Sequence, residues 1–595
     1  MPSSQRVLAL AAALLVACAA PASPIVAAAP APVPLSPAPA APPSIHPRSA
    51  LASKIDPIFA DFTREGAPSP GCAVGVYRAG EVLFSKGYGY ADVEHDAPIT
   101  DTTPFYTASL SKQFTAAAVL MLAAEGKVSL GDDVRKYVPE LPDFGRRITL
   151  DHLLHHTSGL RDYHLLLLVE GLDEEDVITS REILWLLSHQ RTLDFPPGSH
   201  FSYTSSGYVL LAEIVARVSG ESFHAFLTRR VLEPLGMASS LVREDHARLI
   251  PHRAIGYTRG PDGQPRMLMG NLEYDGSSNF VTTVQDLARW DANFYEPKVG
   301  GQPFIDGMRV RGKLSDGTVL DYAMGLEEWE THGLHVEEHN GSFAGYRTTL
   351  VRYPAERLTV SVLCNTTEAD ADALAGKVGA VFLPQLDAPE PAAPESTPRP
   401  APFGFDLATV AGTYIDLSTA EMRSVDVTDG VLRMRYGRSS FKPRELVPAG
   451  PGDLFVKGGH THYGYEPAKG TQAARLVRRT KADLPQTFVR SEPVERVENL
   501  GVYTGLFGSP ELPRDLEVRV EGGRLVTGSP GGAARATLAP VARDLFAYDD
   551  VGWRFERDAR HRVVRLFVST DRAREVVLVK RQEPVTGSCK PSSPR

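Results

Sequence analysis

The chain has 595 residues, of which 43% are hydrophobic and 23% charged, and its formal net charge is −9 at pH 7. That length accommodates about three or four domains of ordinary globular composition. Acidic and basic residues are interleaved, which excludes a nucleic-acid surface; no Walker loop, dinucleotide fingerprint or Gly-x-Ser-x-Gly elbow occurs, so no cofactor is expected.

Residues 1–18 read as an export signal: Arg6 precedes an apolar run, Val7 to Val16, too short to span a bilayer. The run closes on Leu15-Val16-Ala17-Cys18, which resembles a bacterial lipobox and makes Cys18 the expected site of lipidation and membrane anchoring. The alternative is plain signal cleavage in the Ala27–Ala29 region, leaving a soluble periplasmic protein. Residues 19–50 form an Ala/Pro-rich linker suited to holding a folded domain, expected over 51–384, away from a membrane. Of four cysteines, Cys18 belongs to the leader and Cys589 to a polar tail. Cys72 and Cys364 lie in apolar, strand-like segments and are expected to be packing residues, with no disulfide framework.

Ser109 and Lys112 stand three residues apart at the start of an Ala-rich helical stretch, Thr115 to Ala124. Residues at that spacing share a helix face, so both side chains can enter one cleft. A serine hydroxyl needs a neighbour to take its proton, and a desolvated lysine of lowered pKa can do so. The helix N-terminus would add N–H groups where an oxyanion forms. A second copy, Ser439-Ser440-Phe441-Lys442, is followed at once by Pro443 and flanked by strand-like alternation, and is read as coincidence.

Further on, Phe195 to Tyr208 is a turn-rich loop before an apolar helix, Val209 to Val218. Tyr203 lies near its end, where a neighbouring ammonium could depress the phenol pKa and let it relay protons. His339-Asn340-Gly341-Ser342 falls between strand-like segments, and the glycine there would let a ligand approach the strand backbone. His335-Val336-Glu337-Glu338-His339 matches a zinc-peptidase pattern, but its flanking glycines make a strand and turn where that pattern needs a helix, so no metal is expected. His152, His155 and His156 read as packing and turn-bonding residues, and His460 and His462 as solvent-facing.

A second Pro-rich linker covers 385–402. Beyond it, short alternating strands carry an internal repeat of about 89 residues: Gly412-Thr413-Tyr414 answers Gly501-Val502-Tyr503, and Leu446-Val447-Pro448 answers Leu538-Ala539-Pro540. Two small all-β modules are expected, 403–490 and 491–584, each a barrel or sandwich, followed by a tail, 585–595.

Ser109-Leu110-Ser111-Lys112, then Tyr203-Thr204-Ser205, then His339-Asn340-Gly341 resemble, in order and spacing, the signature of the penicillin-recognising serine hydrolases: class C β-lactamases, D,D-peptidases and their esterase and D-aminopeptidase relatives. The likeness extends to an opening hairpin at Pro70–Val76 and Gly87–Tyr90, to Leu153–Leu160, and to a capped helix at Thr283–Trp290. It implies an α/β catalytic domain, an antiparallel sheet flanked by helices, with a helical subdomain from about Leu150 to Leu241. It also implies Ser109 as nucleophile, Lys112 and Tyr203 as proton carriers, and the backbone N–H groups of Ser109 and Ser342 as oxyanion hole. His339 stands where the family has a lysine: protonated, it would steer a substrate carboxylate; neutral, it would shape the pocket. Ser205, Asn340 and Gly341 are expected to touch substrate, although Ser205 replaces the family's usual asparagine and offers only a hydroxyl.

The function expected is a serine hydrolase of the cell envelope that forms an acyl-enzyme at Ser109 and acts on small esters, amides or short D-residue peptides. β-Lactamase or D,D-carboxypeptidase activity is the alternative, and a binding protein on the same scaffold is disfavoured because Ser, Lys and Tyr are all present. Ser205 favours esters, the tandem β modules favour peptides, and the oligomeric state stays open.

Overall fold

A computed structural model describes residues 48–63, 68–388, 401–436, 443–457, 461–480, 482–494, 496–549 and 551–581. Cys18, Cys589, His460 and the second Ser-x-x-Lys copy lie outside them. Six strands make the central sheet: β1 (Cys72–Arg78), β2 (Glu81–Tyr88), β3 (Glu327–Thr331), β4 (Leu334–Phe343), β5 (Tyr346–Tyr353) and β6 (Leu358–Cys364). Their order is β3-β4-β5-β6-β1-β2, antiparallel throughout. Every residue of β6 and all but Arg78 of β1 are buried, as expected of strands covered on both faces.

Five helices frame the sheet and the site: α1 (Arg48–Ile55), α2 (Lys112–Ala124), α3 (Ser205–Ser219), α4 (Val284–Ala292) and α5 (Ala371–Phe382). One sheet face packs on α5 and the N-terminal segment through Ile55, Phe59, Leu374 and Val378; the other faces α2 and α4 through Ala73, Tyr77, Phe114 and Trp290. α2 is apolar on nearly all sides and accordingly runs through the interior. Short helices between Leu150 and Leu235 pack around α3, which Thr204 caps at its start and left-handed Gly220 ends. The catalytic domain is thus the α/β architecture expected, helical part included.

The cysteine reading is corrected. Cys72 and Cys364 are direct register partners on β1 and β6, with Cα atoms 4.0 Å apart, and they form a disulfide across 292 residues of sequence. Apolar flanks marked both as buried, but only the sheet register brings them together.

Each C-terminal module is a closed eight-stranded antiparallel barrel, one from Gly412–Asp416 to Gln486–Arg490, the next from Gly505–Gly508 to Val576–Lys580. The repeat is real but its opening register differs from the one read from sequence. Gly412 at φ 149° matches Gly505 at φ 140°, whereas Gly501–Tyr503 lies in a 3₁₀ turn before the first strand. At both glycines a Cβ would meet the closing strand's long side chain, Arg490 in one barrel and Lys580 in the other. The Pro448 and Pro540 strands correspond as expected, each with a register shift at that point.

Both barrels dock on the catalytic domain. Phe201 N–H donates to Ala482 O of the first at 3.0 Å. Buried Arg161 binds Arg574 O (2.9 Å), Asp194 (3.3 Å) and Glu511 (3.2 Å), the first and last from the second barrel.

Candidate active site

The strand ending at Tyr106 feeds a one-turn 3₁₀ segment, Ala108–Ser111, from which α2 continues. Ala108 sits at φ 50°, a left-handed conformation uncommon for a residue with a Cβ, so the backbone pivots immediately before Ser109. Gly341 of β4 lies against this pivot: a Cβ there would sit 2.2 Å from Thr107 O, and Thr348 on β5 donates to the same carbonyl at 2.8 Å. The glycine expected to admit a ligand therefore admits the turn that carries Ser109.

Lys112, the first residue of α2, is fully buried and donates from Nζ to Ser109 Oγ and to Ser277 O, each at 3.0 Å, with Ser205 Oγ at 3.5 Å. Burial, and secondarily the charge of Arg572, lower its pKa to about 7 against the opposing pull of Asp162. Its ammonium lies 5.0 Å from the centroid of Tyr203 and 5.6 Å from that of Tyr208.

The structure brings Tyr203 to this cluster, but its expected pKa shift has the wrong sign. Burial raises the phenol pKa, and the nearby Ser109 hydroxyl only moderates the rise. Tyr203 Oη makes no hydrogen bond of good geometry. The phenol is therefore held in its protonated form. His156, read from sequence as packing, lies against Tyr203 with the rings tilted by 35° and centroids 4.3 Å apart, and accepts the Thr204 N–H at Nδ1 (3.2 Å).

His339 is buried and neutral: burial and then the Lys112 charge push its pKa down to about 3. Nδ1 faces Asn340 O at 2.7 Å and Nε2 faces Tyr322 Oη at 3.1 Å, which assigns the proton to Nδ1 and makes Tyr322 the donor to Nε2. Carboxylate steering by a charged His339 is thereby replaced by the shaping role. His335, at the far end of β4, pairs with exposed Glu330 at 3.2 Å, and the strand gives the two histidines no shared helical face.

Asp162 had no signal in the sequence. Its buried carboxylate accepts Ser205 N–H at 2.6 Å and Thr204 Oγ1–H at 3.2 Å, and so pins the start of α3 below Lys112. Burial alone would raise its pKa, but His164, Arg572 and the Ser205 N–H together hold it below the usual carboxylate range.

These groups open into a cleft of about 1060 Å³ whose walls come from three places. The catalytic domain supplies Ser109, Tyr203, Glu327, Asn340 and Ser342. The first barrel adds Phe455 and His462, and the second adds Arg572. Asn340 also donates to Asp372 of α5 at 3.0 Å. His462, expected to face solvent, is partly exposed, lines the cleft and pairs with Asp453 at 2.9 Å. Both barrels therefore wall the site.

Residues 59–381 match the protein family described as Beta-lactamase. A D-aminopeptidase of Gluconobacter oxydans is 28% identical over 373 residues, 62% of this chain and 67% of that protein. A D-aminopeptidase of Brucella anthropi is 26% identical over 538 residues, 86% of this chain and 96% of its own length. In fold, the octameric penicillin-binding protein homologue from Pyrococcus abyssi superposes with a TM-score of 0.53 at 24% identity, covering 74% of this chain and 99% of that one.

Proposed function

Because the chain belongs to the beta-lactamase family, we propose that it hydrolyses short peptides or amides containing D-residues through an acyl-enzyme at Ser109. It is a serine hydrolase of the β-lactamase and penicillin-binding type. The observation that carries the reading is the buried Lys112 Nζ, 3.0 Å from Ser109 Oγ, with a pKa lowered to about 7. The D-peptide assignment is supported by the likeness to a D-aminopeptidase over nearly that protein's whole length and 86% of this chain.

Neutral Lys112 takes the Ser109 proton as Oγ attacks the carbonyl carbon. The resulting oxyanion is received by the backbone N–H groups of Ser109 and Ser342; such donors are each typically worth about 3–4 kcal/mol of barrier. Tyr203, kept protonated by burial, gives its proton to the departing amine nitrogen and recovers one from the Lys112 ammonium. The C–N bond breaks, and water enters by the reverse relay to release the acid. Asp162 and His156 hold α3 and the Tyr203 ring in place.

A second reading, ester hydrolysis, rests on Ser205, whose side chain is too short for the amide contact of an asparagine. Export with lipidation at Cys18 is proposed with either substrate; the Cys72–Cys364 disulfide supports an oxidising compartment. A panel of D- and L-alanine p-nitroanilides, p-nitrophenyl esters and a chromogenic cephalosporin tests the substrate reading. The D-anilide should be cleaved with the highest kcat/KM; an L preference, or esters alone, would overturn it.

A further inference from the structure

An apolar wall leads away from Tyr203 along the cleft. Tyr322 lies edge-on to Tyr203 with ring centroids 6.2 Å apart, and Phe201 lies 6.0 Å from Tyr322. These three rings cluster with Leu314, Leu320 and, from the first barrel, Ala482. The two leucines stand on a hairpin closed by Leu314 N–H to Thr318 O and Leu320 N–H to Gly312 O, each at 2.8 Å. Ser315 N–H fastens its tip to Gly198 O, also at 2.8 Å. The hairpin is thus held in place by backbone bonds. Val319, on the same hairpin, lines the cleft with 39% of its surface exposed.

The first barrel completes this wall. Its strands Asp453–Val456 and His462–Glu466 pair so that Phe455 faces His462. Leu454, Val456 and Tyr463 belong to the barrel's core, so by alternation Asp453, Phe455 and His462 point outward. Phe455 is nonetheless only 4% exposed; the His462 ring lies edge-on at 5.0 Å, and both residues line the cleft. Asp321, Asp453 and Asp483 of the same walls are paired with Arg311, His462 and Arg478, so a cationic group gains little there. An exposed apolar side chain in a concave site marks where the apolar part of a ligand is received. Tyr203, in the proposed mechanism, protonates the leaving amine, so the wall that continues from its ring lies on the leaving side of the scissile bond.

We propose that this wall is a subsite for an apolar side chain on the leaving fragment, with Val319 of the hairpin and Phe455 of the first barrel as its specificity-determining residues. Peptides whose leaving residue carries a branched aliphatic or aromatic side chain are then favoured over those with a small one. The proposal rests on the amide-hydrolase reading, and its test separates the two. The full chain and its Val319→Ser, Val319→Leu and Phe455→Ala variants would be assayed on D-alanyl-D-leucine and D-alanyl-D-alanine. The same four proteins would be assayed on the benzyl and methyl esters of N-acetyl-D-alanine, whose leaving alcohols are of nearly equal acidity.

The wild type should prefer the larger leaving group in both pairs, by about 10- to 100-fold in kcat/KM. Val319→Ser and Phe455→Ala should each lower that ratio by about 3- to 10-fold, and Val319→Leu should keep it. Val319 is exposed, so its replacement leaves the fold intact. The ratio also removes any effect of Phe455→Ala on the amount of folded enzyme, since that acts on both members of a pair. A wild type indifferent to the apolar group, or a ratio that either Val319→Ser or Phe455→Ala leaves unchanged, overturns the inference. Cleavage of the esters alone would refute the peptide reading while the ester ratio still decided the subsite. Cleavage of neither pair would refute both.

Discussion

The pH dependence of turnover is the most direct consequence of where Lys112 is buried. With its ordinary pKa of 10.5, about 0.03% of the side chain would be neutral at pH 7; with a pKa of about 7, about half is. Burial therefore multiplies the competent base more than a thousandfold. On the proposed mechanism the neutral amine is the active form, so kcat/KM should rise with pH and level off above about 8. It should fall about tenfold per pH unit below 7, to roughly a tenth of the plateau at pH 6. The profile should be measured from pH 5 to 9 on an uncharged ester or anilide, at two temperatures. Glu170, with a pKa raised to about 7, and Asp194, raised to about 6, are carboxyls that titrate in the same window. An amine ionisation moves to lower pH on warming, whereas a carboxyl barely moves. A flat profile, a limb below pH 5, or a limb that ignores temperature would refute the assignment of Lys112 as the base.

Other parts of the structure give three more expected outcomes. Gly341→Ala places a Cβ 2.2 Å from Thr107 O, so the Ser109 turn must shift; kcat/KM should fall by about 100-fold with circular dichroism unchanged, and near-native activity would contradict the packing. Cys72→Ser with Cys364→Ser should cost about 2–5 kcal/mol in urea unfolding, and reductant should move the wild-type midpoint but not the variant's. Glu338, buried beside Asp372 and its register partner Glu327, has a pKa pushed up to about 9, so the folded state keeps a proton that the unfolded chain releases near pH 4.5. Stability should therefore fall as pH rises through that window, and Glu338→Gln should raise the unfolding midpoint at pH 8 but not at pH 4.

What the sequence carried about this molecule was whatever is local. Ser109 and Lys112 are three residues apart and need only one turn to meet, and Tyr203 stands on the loop that leads into α3. The hairpin and the capped helix after Thr283 were implied by the family resemblance, and the two all-β modules were legible from turn glycines and alternation. Contacts that depend on distant segments were not. Asp162 meets Ser205 across 43 residues, Cys72 meets Cys364 across 292, and Arg572 reaches the cleft from another domain. The Tyr203 shift failed, and the choice between a charged and a neutral His339 stayed open, for a related reason. Neighbouring charge can be guessed from motifs, but burial, the larger cause in both, belongs to the assembled fold.

The central claim is a covalent intermediate on Ser109. The full chain should be treated with a 4-nitrophenyl phosphonate, or with a penicillin, and examined by intact mass and peptide mapping. One adduct per chain is expected, on the peptide holding Ser109, with none on Ser109→Ala and an unchanged adduct on Ser439→Ala. Labelling that survives Ser109→Ala, or that maps to another serine, would contradict the account.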